Sequence, residues 1–444
     1  MVEWTEDLFP NATNVQPHEP PEEYRPGGFH PVALGDTFQD GRFVIRHKLG
    51  FGGQATVWLA QDTQQRHDRR EAGPHLCRVE TQLISKSSQW VSLKIKQSRI
   101  SEGPLGQDQE VQALLALEKH YASSDHQLPR CFTRLLGTFQ ISGPNGTHNC
   151  LVTELVGPSV ARVLRACSLF GETLRPDTVL RASKRVLQAV EFAHRAGVVH
   201  GDISFGNVAF TCDVALNGDE DVFVALGGQP VTATYTGQEA LPASMPRMLV
   251  KTADWDMWTD RDEEDIRLLD WGLAFPVAQV VTTLPQPIDL RSPETFFCAS
   301  IDYRHDLWRA GCVIYALYFQ QSPFPFERGS DGVFVEQMVS KLGPLPAPWH
   351  LLWRDMQRRN MDSEVNGHHH QSEVDKFEER RRAIIRKCQE EEGYQVDEYS
   401  DYDFESLRVL SLTISALLKW EPESRISAQQ ALSHIEWVDY RNET

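Results

Sequence analysis

The sequence predicts an α+β chain, a smaller strand-rich unit followed by a larger helical one. Short apolar stretches broken by glycine and proline turns fill the first third of the chain. From Thr178 onward apolar residues recur at helical spacing. The chain has 444 residues, 41% of them hydrophobic, enough for sizeable cores and too apolar for wholesale disorder.

Residues 1–28, rich in Pro and Glu, read as an extended arm. Phe43 to Ala60 reads as strands around a glycine cluster, and the polar, basic stretch 62–88 as a loop insertion. Trp90–Lys96 reads as a strand, and Gln107–Ala122 as a helix through Val111, Leu114 and Leu115. Leu135–Ile141 and Cys150–Leu155 read as strands joined by the turn Gly143-Pro144-Asn145-Gly146. The first unit is thus expected over 29–156 and the second over 157–440. Leu180, Val186, Leu187, Val190 and Phe192 mark one long helix of the second unit, and Arg304–Phe319 and Phe404–Lys419 two more. A stretch rich in Asp, Gly and Pro, 213–265, interrupts the second unit as an insert. A basic cluster, Arg380 to Arg382, precedes an acidic tract from Glu390 to Glu405.

Lys and Arg total 44 against 62 Asp and Glu, a formal charge of −18. That balance argues against nucleic-acid or membrane-surface binding and suits a cationic partner. The longest apolar run, Ala310–Phe319, is far short of the ~20 residues of a membrane span. The eight cysteines form no C-x-x-C pair, which reads as reduced thiols. The chain opens on acidic and polar residues, unlike a signal peptide. The expectation is a monomer located in the cytoplasm, with the nucleus as a second location.

Three motifs carry chemistry. Gly50-Phe51-Gly52-Gly53-Gln54-Ala55-Thr56-Val57 fits a phosphate-covering glycine loop, because backbone N–H groups without Cβ atoms can approach phosphate oxygens. Alone it reads more readily as an ordinary hairpin turn. Val91-Ser92-Leu93-Lys94 ends a strand on a lysine that can pair with phosphates, with Glu110 on the next helix to hold it. By composition Lys96 and Glu118 fit those roles as well. His200-Gly201-Asp202-Ile203-Ser204-Phe205-Gly206-Asn207, followed by Asp270-Trp271-Gly272, is the strongest. Asp202 can accept the proton of an attacking hydroxyl, while Asn207 and Asp270 offer oxygens to Mg²⁺.

With these motifs the chain resembles a eukaryotic protein kinase. Arg291-Ser292-Pro293-Glu294 looks like the family's A-P-E, and Asp306-Leu307-Trp308-Arg309-Ala310-Gly311 like its D-x-W-x-x-G helix start. Arg425 stands where the family pairs an Arg with the A-P-E glutamate. Over residues 27–160 the resemblance is to SR-protein kinases. It rests on Gly27-Gly28-Phe29-His30-Pro31-Val32, Gly35-Asp36, Gly41-Arg42-Phe43, Thr56-Val57-Trp58-Leu59 and Ile141-Ser142-Gly143-Pro144-Asn145-Gly146-Thr147-His148. The divergent catalytic loop resembles those of fungal members of that group.

The resemblance implies a bilobal protein-kinase fold with a small β-rich N-lobe, a larger α-helical C-lobe, and ATP and Mg²⁺ between them. It implies transfer of the γ-phosphoryl to Ser or Thr of a protein, with Arg/Ser-rich basic proteins as the expected substrates. Thr153 would be the gatekeeper, Glu154 to Val156 the adenine-binding hinge, and Leu49 and Val57 the residues packed on the base. Gly50, Gly52 and Lys94 would meet the phosphates.

Two positions depart from the family. Gly201 replaces the Arg that receives an activation-segment phosphate, so the short segment from Asp270 to Glu294 is expected to be ordered without one. Ser204 replaces the Lys of serine/threonine kinases, and Gly206 stands where tyrosine kinases carry an Arg. One lost charged contact typically costs ~10²–10³ in rate. Ser204 therefore opens a second reading, a nucleotide-binding pseudokinase scaffold. The spelling His-Gly-Asp-x4-Asn opens a third, a small-molecule phosphotransferase, which lacks the S-P-E, D-x-W-x-x-G and Arg425 features.

Overall fold

The computed structural model describes residues 9, 15–64, 90–124, 130–212, 221–237, 240–255, 264–286, 288–325, 330–360 and 401–435. The chain divides into two compact units, one of 1–115, 133–157 and 211–259, the other of 116–132, 158–210 and 260–444.

The first unit is built on a six-stranded sheet. Its strands are β1 (Thr37–Phe38), β2 (Phe43–Phe51), β3 (Ala55–Asp62), β4 (Trp90–Lys96), β5 (Leu135–Gly143) and β6 (Gly146–Glu154). All pair antiparallel in the order β1-β2-β3-β4-β6-β5. Alternating side chains bury one face, with Phe43, Ile45, Trp58, Leu93, Ile95, Cys150 and Val152 in a single apolar cluster. β4 and β6, central in the sheet, are buried through most of their length. Helix α1 (Gln109–Ser123) opens in this unit. Asp108 starts it by accepting from the backbone N–H groups of Glu110 and Val111, at 3.1 and 3.3 Å.

Two further segments join this unit. Residues 15–28, expected as an extended arm, are packed: Val15, Glu19 and Tyr24 are buried, and Glu19 pairs with the buried Lys48 of β2. An acid among prolines reads as solvated in sequence, and the lysine and the Tyr24 hydroxyl facing it reverse that. The described residues between 221 and 255 of the stretch 213–265, expected as an insert of the second unit, belong to the first. Its short helix Asp221–Ala225 and its hairpin, Thr232–Thr234 with Met248–Val250, carry the apolar residues that bring it back. Val222, Ala225, Leu226 and Trp255 bury against Leu59 and Trp90. Asn145, in the β5–β6 turn, is buried and donates to Phe29 O at 2.6 Å and Ser244 O at 2.8 Å. The insert 62–88 lies almost wholly, and the tracts 380–382 and 390–400 wholly, outside the described residues.

The second unit is helical. Helix α2 (Val160–Phe170) follows the N-cap Ser159 and ends on Gly171 in the left-handed region. Helix α3 (Pro176–Arg195) has Pro at its first position and buries Val179, Val186, Leu187 and Val190 on one side. Two short strands, β7 (Val208–Phe210) and β8 (Ile266–Leu268), pair antiparallel. Helix α4 (Arg304–Phe319) is buried along its length from His305. Helices α5 (Asp331–Leu342), α6 (His350–Asn360), α7 (Asp401–Leu417) and α8 (Ala428–His434) complete the unit. α4 packs on α3 and α7. A Cβ at Gly311 of α4 would stand 3.0 Å from Leu417 and Leu418, so the D-x-W-x-x-G glycine is there for close helix packing.

Candidate active site

In the first unit the glycine loop is the β2–β3 hairpin. Gly50 lies opposite Val57, Val57 opposite Lys94, and Lys94 opposite Leu151, so one row crosses four strands. Gly50, Gly52 and Gly53 all have ordinary negative backbone φ, and a Cβ on any of them would meet no protein atom within 4 Å. Neither turn geometry nor packing therefore asks for glycine here.

Lys94 Nζ lies 2.8 and 2.9 Å from the two carboxylate oxygens of Glu110. Lys96, two residues on and facing the same way, pairs with Asp108 at 2.7 Å and with Glu110 at 3.0 Å. Burial would raise the Asp108 carboxyl, but Lys96 and the hydrogen bonds from Asn149 and Val111 bring it below its ordinary range. Asp108 thus holds both the helix start and Lys96, which leaves Lys94 as the less buried cation of the pair. Glu118, the rival acid, pairs with Arg130 at 2.6 Å instead.

Leu49 and Val57 are half-buried, and Leu49 packs on the cluster of Leu59, Trp90 and Leu155. Glu154 N donates to Arg134 O at 3.1 Å, and its carboxylate accepts from Arg134 N at 2.9 Å, which anchors the segment leading to Val156.

In the second unit the loop from His200 to Asn207 is held from below by Asp306. That buried carboxylate accepts from His200 N at 2.8 Å, Gly201 N at 3.0 Å and His194 Nε2 at 3.0 Å. His200 accepts from Asp202 N at Nδ1 (3.2 Å), so Nε2 carries the proton and donates to Leu269 O at 2.9 Å. Trp271, the counterpart of the family's Phe, is buried with its ring 4.4 Å from the His200 ring.

Asn207 Nδ2 donates to Asp202 O at 2.9 Å and to its Oδ2 at 3.0 Å. Leu269 N donates to Asn207 O at 2.8 Å, just beyond the β7–β8 ladder. This brings Asp202, Asn207 and Asp270 together. Asp270 is exposed, in a left-handed backbone turn closed by Gly272 N at 3.4 Å. Asp202 is only part-exposed. Burial raises its pKa, Arg309 and His200 oppose the rise, and Asp270 adds to it.

The bonds of the Asn207 side chain to Asp202 use its amide nitrogen, so its carbonyl oxygen is the atom that could take a cation. With the Asp270 carboxylate this makes a hard, all-oxygen donor pair of the kind Mg²⁺ takes beside phosphate oxygens. Among the described residues no group of three or more His, Cys, Asp or Glu could hold a metal unaided.

Sequence reasoning missed Arg309. It is wholly buried on α4 and donates to Asp202 Oδ1 at 2.7 Å, Ile203 O at 2.5 Å and Leu290 O at 3.1 Å. Its signal was legible, since it is the one charge in the otherwise uncharged run Leu307–Phe319. A buried charge requires partners.

Further along, Glu294 and Arg425 form a buried bidentate pair at 2.5 and 2.9 Å. The segment between Asp270 and Glu294 is pinned by the two-way backbone pairing of Val281 with Ile301, at 2.7 and 3.0 Å.

The protein kinase domain family matches residues 256–438, which include Asp270-Trp271-Gly272, Ser292-Pro293-Glu294, the start of α4 and Arg425. A serine/threonine protein kinase of Aspergillus fumigatus is 26% identical over 437 residues, 96% of this chain and 91% of that one. The serine/threonine-protein kinase SRPK of Physarum polycephalum is 23% identical over 447 residues, 94% of this chain and 91% of its own length. Human SRSF protein kinase 3 is 29% identical over 200 residues, 44% of this chain and 30% of that one. A six-stranded antiparallel unit and a helical unit, with these motifs in the kinase order, make the bilobal kinase fold. The chain is an SR-protein-kinase-like serine/threonine protein kinase.

Proposed function

We propose that this kinase transfers the γ-phosphoryl of Mg-ATP to Ser or Thr in an Arg/Ser-rich, basic protein. The observation that carries the proposal is the Asp202–Asn207–Asp270 arrangement, one carboxylate held in place beside two metal-binding oxygens. Asp202 orients the substrate hydroxyl and takes its proton. Asn207 and Asp270 hold magnesium, which when bound neutralises phosphate charge. Lys94, fixed by Glu110, holds the phosphates, and the backbone N–H groups of the loop from Gly50 to Val57 cover them. Leu49 and Val57 pack on the base, and backbone groups between Glu154 and Val156 hydrogen-bond it.

Two things support a basic substrate: the charge of −18, and the names of two relatives, SRPK and SRSF protein kinase 3. The same charge suits a monomer that takes a basic protein and no nucleic acid.

The test is Mg-ATP-dependent phosphate incorporation into an Arg-Ser-repeat peptide, beside a non-basic Ser peptide and an Asp202→Asn control. Transfer to the repeat peptide should dominate and vanish in Asp202→Asn. Its KM should rise with salt, since exposed charges are screened over ~8–10 Å at physiological ionic strength. Equal use of both peptides would remove the substrate class. Transfer at the Asp202→Asn level on both would leave a nucleotide-binding scaffold.

A further inference from the structure

Arg309 supplies something the catalytic loop lacks. The position two residues beyond Asp202 is Ser204, whose hydroxyl only accepts from Asn207 N at 3.2 Å. The loop itself therefore offers no cation there. Arg309 arrives from helix α4, wholly buried, and spends its three guanidinium nitrogens on three acceptors. Nη2 takes Asp202 Oδ1, Nε takes the carbonyl of Ile203 in the same loop, and Nη1 takes the carbonyl of Leu290, ahead of Ser292-Pro293-Glu294.

The two carboxylate oxygens of Asp202 are thus divided. Oδ1 faces Arg309 at 2.7 Å, and Oδ2 faces the Asn207 amide at 3.0 Å. That fixes the plane of the carboxylate from two sides. A guanidinium is planar and permanently charged, so the hold is both directional and electrostatic.

We infer that Arg309 is the positioning residue of phosphoryl transfer in this kinase. It orients the Asp202 carboxylate and gives the loop the positive charge that Ser204 does not. The inference rests on the reading of Asp202 as the base. Its chemical sense follows from charge. Asp202 and Asp270 place two carboxylates where an anionic phosphoryl group must react, and a fixed cation against one of them reduces that repulsion.

The experiment compares kcat and KM of the full chain, on Mg-ATP and an Arg-Ser-repeat peptide, for Arg309→Met, Arg309→Lys, Ser204→Lys, Arg309→Met with Ser204→Lys, and Asp202→Asn. Arg309→Met should lower kcat by ~10²-fold while KM for ATP moves less than about threefold. Ser204→Lys should raise kcat at least about tenfold in the Arg309→Met background, and by a markedly smaller factor in the native chain. A purely structural arginine would show no such coupling. Arg309→Met within about threefold of native kcat overturns the inference, and so does an equal effect of Ser204→Lys in both backgrounds.

If Arg309→Met does not fold, Arg309→Lys carries the test, because it keeps the charge and most of the volume. Its kcat should stay within about tenfold of native, and a loss as deep as that of Asp202→Asn overturns the inference. Transfer retained by Asp202→Asn would instead overturn the base assignment beneath it.

Discussion

Gly201 stands where the family has an arginine, and the structure says why no side chain can return there. Its backbone is left-handed, φ +77°, and a Cβ would lie 2.6 Å from the Leu273 carbonyl oxygen. The perturbation is Gly201→Ala. Left-handed backbone costs an L-residue roughly 1–2 kcal/mol. Forcing a methyl against a fixed carbonyl adds about 1–3 kcal/mol, and the lower entropy of unfolded Ala returns less than about 1 kcal/mol. The net loss expected is about 2–4 kcal/mol. Gly206→Ala, in the same loop, is the control: its φ is ordinary, and the nearest atom to its Cβ is Ser204 Oγ at 3.7 Å. Thermal melts of both variants beside the native chain provide the assay. At roughly 2–4 °C per kcal/mol for a unit of this size, Gly201→Ala should melt about 5–12 °C lower, and Gly206→Ala within about 2–3 °C of native. Equal melting temperatures for the two variants would refute the steric argument. Gly201→Arg would then be free to restore the family's phosphate receptor, which the geometry forbids.

Other outcomes follow from the same structure. Glu110→Gln weakens the hold on both Lys94 and Lys96 and should lower kcat/KM for ATP by ~10²-fold. Lys96→Met should mainly destabilise the first unit, and equal kinetic effects of Lys94→Met and Lys96→Met would contradict the assignment. Burial would raise Glu294, but the Arg425 guanidinium holds its carboxyl far below the usual range. That stability is present above the ordinary glutamate pKa and lost as pH falls through the depressed one. Glu294→Gln should therefore cost about 3–5 kcal/mol at neutral pH and flatten the decline in melting temperature on acidification. An unchanged acid decline would place the titration elsewhere. Phosphatase treatment should leave kcat within about twofold of native, measured on the same peptide, because the described contacts of the segment need no phosphate: the Val281–Ile301 pairing, Arg309 on Leu290 O, and the hydrogen bonds of Gln286 with Thr295 and Ser292 with His305.

Much of the site was legible because its residues sit at fixed short spacings on one loop. Asp202 and Asn207 meet through the amide of one and the carboxylate of the other, a contact that spacing alone can suggest. The choice between Lys94 and Lys96 was not legible. Side chains two apart on a strand share a face, so only the pairing of Asp108 with Lys96 separates them. Arg309 was passed over because the helix-start motif absorbed it, although a charge inside an apolar run asks for a partner. The place of residues 221–255 in the first unit depends on long-range burial of Val222, Leu226 and Trp255, which local composition hides. The packing of residues 15–28 depends likewise on Lys48, far along the chain from the glutamate it meets.

The two departures beside Asp202 belong together with Arg309. Gly201 removes the arginine that would answer a phosphate, and Ser204 removes the lysine that would meet the transferring group. Arg309 adds an arginine from a different element, and it reaches both the catalytic loop at Ile203 and the following segment at Leu290. A phosphate receptor makes order conditional, since it is satisfied only when the phosphate is present. Arg309 answers to a carboxylate and two carbonyls that are always present, and its charge does not titrate near neutrality. The tie between catalytic loop and segment is therefore built into the fold. The receptor position, relieved of that task, is free to be the glycine that lets Leu273 O approach. The missing arginine and the left-handed turn thus meet at one residue, in a loop that Arg309 of the buried helix α4 ties to the following segment.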